Sequence, residues 1–137
     1  AHSHVGVYAF VTFILFGSMY YILPRLVRRE WPSARLITWH FWLVLIGITI
    51  YVVALTFAGV FQGLALVDPA VPFQRSVELT IWGLIARSIS GGLLTAGHVI
   101  FAWHFWLMVR GRVPAGEAPP FLEARPIIHE IEPEANP

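Results

Sequence analysis

The chain has 137 residues, of which 57% are hydrophobic and only 12% charged, with a net charge of +1 and no cysteine. An average soluble domain carries roughly 25% charged residues, so too little solvated surface is available here for a water-soluble globule. The near-zero charge argues against nucleic-acid binding, and the lack of cysteine excludes disulfides, thiolate metal sites and haem attached through Cys-x-x-Cys-His.

The first predicted element runs from about 2 to 27. No acidic or basic residue occurs from Ala1 to Pro24, and such a run exceeds the ~20 apolar residues needed to cross the hydrocarbon core. It is too long for a cleavable signal peptide and has no basic region in front of it. Its opening, Ala-His-Ser-His-Val-Gly, places two histidines, His2 and His4, at the mouth of a hydrophobic helix. Intramembrane imidazoles are costly unless a partner offsets their desolvation. Residues i and i+2 on an α-helix point roughly 200° apart, so they do not face each other and are poorly placed to chelate one ion. The spacing instead suits one ligand on each side of the helix. Neutral imidazole ligates haem iron, which suggests two haems flanking this helix.

The connection that follows holds Arg25, Arg28, Arg29 and Arg35 against Glu30, and is broken by Pro24 and Pro32. A second predicted span, about 35 to 66, carries no charge from Leu36 to Val67. The next connection holds only Asp68 and Arg75, with Pro69 and Pro72 as breakers. A third span, about 76 to 110, includes Glu78 near its start and Arg87 inside it, and exits into Arg110 and Arg112. Arginine excess marks the cytoplasmic side. The first connection and the C-terminal end are therefore expected inside, with residue 1 and Asp68 outside. Residues 113–137, rich in proline and glutamate, read as a cytoplasmic tail.

The prediction is thus an all-α integral membrane protein with three transmembrane helices in residues 1–112. Trp31, Trp39, Trp42, Trp103 and Trp106 gather at the expected cytoplasmic level, as an interfacial belt would. An intramembrane arginine implies a functional partner; for Arg87 this is either a haem propionate or a salt bridge, to Glu78 or to a helix outside this chain. Glu78 is expected to cap the third helix through its dipole. Ser88, Ser90, Gly91 and Gly92 form a small-residue patch suited to close helix contact. His40, His98 and His104 are expected as interfacial or helix-contact residues, and Tyr8, Tyr20, Tyr21 and Tyr51 as space-filling or anchoring side chains.

Three stretches, "HSHVGVYAFVTFILFGSMYYILPRL", "WHFWLVLIGITIYVVALTFAGVFQGL" and "IARSISGGLLTAGHVIFAWHFW", resemble the last three helices of a haem-copper oxidase catalytic subunit, with the cbb(3)-type cytochrome c oxidases as the nearest likeness. The resemblance covers about residues 1 to 110 and implies that the three helices belong to a larger bundle. It implies two b-type haems, with His2 on the high-spin iron of the oxygen-reducing centre and His4 on the low-spin iron. Copper is expected in the complex on residues outside this chain, which alone would not be active. Implied partners are the remaining helices of the catalytic subunit, c-type cytochrome subunits, cytochrome c and membrane lipid. The implied setting is the bacterial inner membrane, with residue 1 toward the periplasm, and the implied reaction is proton-coupled reduction of oxygen to water. Nitric oxide reductase, which shares the His-x-His, and a cofactor-free accessory subunit are the competing readings.

Overall fold

A computed structural model describes residues 5–111; the expectations for His2, His4 and the 113–137 tail lie outside the described residues. The chain begins with a π-helical segment, Val5–Val11, that continues directly into α1, Thr12–Val27. Next comes α2, Ala34–Val67, then a short α3, Phe73–Glu78, and finally α4, Ile81–Arg110. Three helical stretches, Val5–Val27, Ala34–Val67 and Phe73–Arg110, are long and apolar enough to cross a membrane. The architecture is all-helical.

Two boundaries depart from the expectation. The first span does not open as a regular α-helix: Val5–Val11 is wound as a π-helix, a rare form that appears mostly as single turns at functional sites. The third span is interrupted after Glu78. Thr80 turns its hydroxyl onto the Val77 carbonyl at 2.7 Å, and α4 starts afresh at Ile81. Glu78 therefore ends α3 and does not cap the long helix; it pairs with Arg75 at 3.0 Å.

The centre of the molecule is the antiparallel α2–α4 hairpin. On α4 the residues Gly83, Ser90, Gly97 and His104 recur every seven positions, and all are buried. On α2 the buried set includes His40, Gly47 and Ala54, again seven apart, with Val44, Ala58 and Ala65 beside them. A seven-residue repeat keeps one seam facing a partner helix, and small residues on that seam let backbones approach closely. A β-carbon at Gly83 would lie 2.5 Å from that of Ala58, and one at Gly47 would lie 3.0 Å from Leu94 Cγ. Ser90 donates its hydroxyl to the Gly47 carbonyl at 2.7 Å. Of the expected small-residue patch only Ser90 makes this contact. Ser88 bonds back to Leu84, and a β-carbon at Gly91 or Gly92 would meet nothing.

The first span lies against this hairpin and is far less enclosed. Apart from Pro24, no residue of Val5–Val27 is buried. Ala9 and Phe13 pack on the Val44, Ile48 and Leu94 core, and Phe16 meets the rings of His40, His98 and Phe101 at 4.7, 5.1 and 4.7 Å.

Candidate functional site

Two regions of the described residues carry polar chemistry at membrane depth. One lies at the arginine-rich end, where Phe16, Tyr20, Trp31, Phe101 and three histidines converge. The Tyr20 hydroxyl and His40 Nδ1 are hydrogen-bonded at 2.9 Å. His98 donates from Nδ1 to the Leu94 carbonyl at 2.6 Å. The Ser33 amide donates to His104 Nε2 at 3.1 Å. An amide cannot accept, so neutral His104 carries its proton on Nδ1. His40 Nε2 and His104 Nδ1 are buried without a hydrogen-bond partner among the described residues. These histidines bind helix to helix; among the described residues no group of three or more His, Asp or Glu could hold a metal ion. His40 and His104 are buried, not interfacial. Trp31, fully buried against Tyr20 and His104, is likewise not part of the surface belt. Trp39, Trp42, Trp103 and Trp106 remain exposed, as a belt requires.

The other region lies near the N-terminal end of the first span. Tyr8, Ile48, Tyr51, Val52, Gly91 and Leu94 line an apolar cleft of about 180 Å³ between the π-helical segment and the hairpin. Whole ligand sites run to roughly 300–1,000 Å³, so this cleft fits the rim of a large planar group and not all of it. Gly91 opens the wall, since a β-carbon there would meet nothing within 4 Å. One turn before Gly91 on α4 stands Arg87. It falls on the same seven-residue register as Thr80, Leu94 and Met108, which are all buried, yet it is exposed. Glu78 is engaged by Arg75, and Arg87 has no ion pair among the described residues. The chemistry of this region is an apolar slot, with the Arg87 cation one helical turn before its Gly91 wall. An amphipathic planar cofactor with carboxylates on one edge, such as haem, fits that donor set.

Sequence reasoning placed Arg87 and did not assign Tyr8, Tyr51 and Gly91 to any site. The small residues at seven-residue spacing were visible in the sequence, but which of them meet was not.

Helix-forming residues, three spanning elements and small-residue seams define an integral membrane helix bundle. The family model for Cytochrome C and Quinol oxidase polypeptide I matches residues 1–94, and the chain belongs to that family of haem-copper oxidase catalytic subunits. A cytochrome c oxidase subunit 1 homolog of Azorhizobium caulinodans is 36% identical over 115 residues, 79% of this chain and 21% of the relative. The cbb3-type cytochrome c oxidase subunit CcoN1 of Stutzerimonas stutzeri is 32% identical, over 83% of this chain and 26% of its own length. Cytochrome c oxidase subunit 1 of Rhodobacter capsulatus is also 32% identical, over 79% and 22%. The chain thus spans about a fifth to a quarter of the length of these curated relatives. No solved structure matches it. Family membership implies haem cofactors and a place within a larger catalytic subunit.

Proposed function

We propose that the chain is the haem-ligating three-helix part of the catalytic subunit of a cbb(3)-type respiratory oxidase, which reduces oxygen to water with electrons from cytochrome c while translocating protons. The observation that carries this reading is the His2-x-His4 pair heading the first span, inside the residues matched by the family model. His2 is assigned to the high-spin haem and His4 to the low-spin haem, both of b type. When bound, these haems supply electron transfer and an open iron coordination site for oxygen.

This chain's own residues bind and orient. Each imidazole would offer one ring nitrogen to iron, and the i, i+2 spacing suits ligands for two separate irons. Tyr8 follows His4 by four residues in the sequence, and we assign the cleft it lines with Tyr51 and Gly91 to the low-spin side. Its apolar lining excludes water from the rim it receives. Arg87, one turn outward, would neutralise a propionate; its exposure and its lack of an ion pair among the described residues support this over the Glu78 alternative. Copper is ligated by residues elsewhere in the subunit. The partners are that subunit's other helices, c-type cytochrome subunits and cytochrome c. The arginine-rich end, with Arg25, Arg28, Arg29, Arg35 and Arg110, is assigned to the cytoplasm and residue 1 to the periplasm, by the positive-inside rule.

The test is a reduced-minus-oxidised optical spectrum of the whole complex, with and without carbon monoxide. His4→Ala should remove the low-spin band while the CO-sensitive component stays. His2→Ala should abolish the CO shift and leave the low-spin band. Both signals surviving either change would overturn the ligand assignment. Arg87→Gln should retain haem and shift a midpoint potential; an unchanged potential would remove the propionate role.

A further inference from the structure

The contacts that fix the first span are concentrated at one end. Toward its N-terminus the span meets the hairpin through rings and small apolar side chains. Clefts open along that seam, including one of about 210 Å³ lined by Phe13, Phe16, Gly17, Tyr20, His40 and Val44 among others. Lipid tails are as apolar as these side chains, so such contacts give little drive toward one axial position. Hydrogen bonds in the membrane are positional, because a displaced donor or acceptor finds no water.

At the arginine-rich end three bonds answer a backbone group that helix geometry leaves unmatched, and a fourth joins two side chains. Proline has no backbone N–H, so Pro24 deprives the Tyr20 carbonyl of its helical donor. Trp31 fills the gap, donating from Nε1 to that carbonyl at 2.9 Å. The Ser33 amide at the start of α2, one of the donors a helix cannot satisfy itself, is taken by His104 on α4. The Val109 carbonyl, in the last turn of α4, accepts from Arg29. The Tyr20 hydroxyl reaches across to His40 on α2. Tyr20 thereby joins the connection through its backbone, α2 through its hydroxyl and α4 through ring contact with Phe101 at 5.3 Å.

We infer that Tyr20, Trp31, His40 and His104 form a latch that sets the depth of the first span against the hairpin and so positions the histidines it carries. The inference rests on the reading of His2 and His4 as haem ligands. Thr12–Val27 is one unbroken α-helix that continues directly into Val5–Val11, so an axial slip allowed at Tyr20 is transmitted along the span toward its head. The four are positioning residues and touch no haem themselves.

The experiment uses the whole catalytic subunit in its complex, in a background without other reactive cysteines. Spin labels are placed at Val11 and Ile89, both exposed, and the distance between them is measured in Tyr20→Phe, His104→Leu and His104→Gln. Tyr20→Phe and His104→Leu should each shift or broaden the distance beyond the width of the wild-type distribution. Haem content should stay constant while the low-spin potential moves. His104→Gln should restore both values, because the glutamine carbonyl can accept the Ser33 amide. If His104→Leu does not fold, Tyr20→Phe decides, since it keeps the ring and removes only the hydroxyl. An unchanged distance in Tyr20→Phe overturns the latch whatever the spectrum shows. A wild-type complex without haem bands would instead overturn the functional reading, and the spin-label distance would still decide the latch.

Discussion

Gly83 has no room for a side chain, because a β-carbon there would sit 2.5 Å from that of Ala58. Gly83→Ala should therefore force the helices apart and destabilise by roughly 1–3 kcal/mol, as overpacking does. Gly92→Ala, where a β-carbon meets nothing, should be neutral or gain up to ~1 kcal/mol from helix propensity. Thermal melting of the purified complex distinguishes them, and equal melting temperatures would refute the close approach. Ser90→Ala removes one interhelical hydrogen bond and should cost about 0.6 kcal/mol, the average for such bonds in membranes. At this scale much was legible: an arginine within an apolar run announces a missing partner by its desolvation cost alone. The role of Trp31 was not, because nothing local marks which tryptophan turns inward. Its indole N–H answers the Tyr20 carbonyl, which lost its helical donor at Pro24, and only folding brings the two together.

At the scale of elements, helix existence followed from the apolar run lengths, whereas helix character did not. The π-helical winding of Val5–Val11 has no sequence signature in this chain. Deleting Gly6 should relax the segment toward α-helix and rotate the residues before it by ~100°. Optical spectra of the assembled complex should then lose or alter both haem signals; unaltered bands would show that the winding has no bearing on the ligands. The break at Leu79–Thr80 was also missed, because Glu78 was read as a cap for the long helix. Its carboxylate instead pairs with Arg75 within α3, and Thr80 supplies the turn.

For the whole molecule, the hairpin and the first span should differ in stability. The α2–α4 seam is close-packed and hydrogen-bonded, while Val5–Leu23 has no buried residue. In detergent, amide hydrogen exchange should be slower in the facing halves of α2 and α4 than over residues 5–19, with protection rising again at Tyr20 and the connection beyond it. Uniform protection along all three spans would contradict this order. The sequence by itself determined the membrane class, the number of spans, the arginine-rich end and the His-x-His head, because hydropathy, charge and short spacings are local quantities. Only the tertiary structure decided which small residues meet, which tryptophan and histidines are buried, and where an apolar cleft opens beside Gly91. Those outcomes depend on residues from 11 to 71 positions apart being brought within a few ångströms, and no local pattern fixes that pairing.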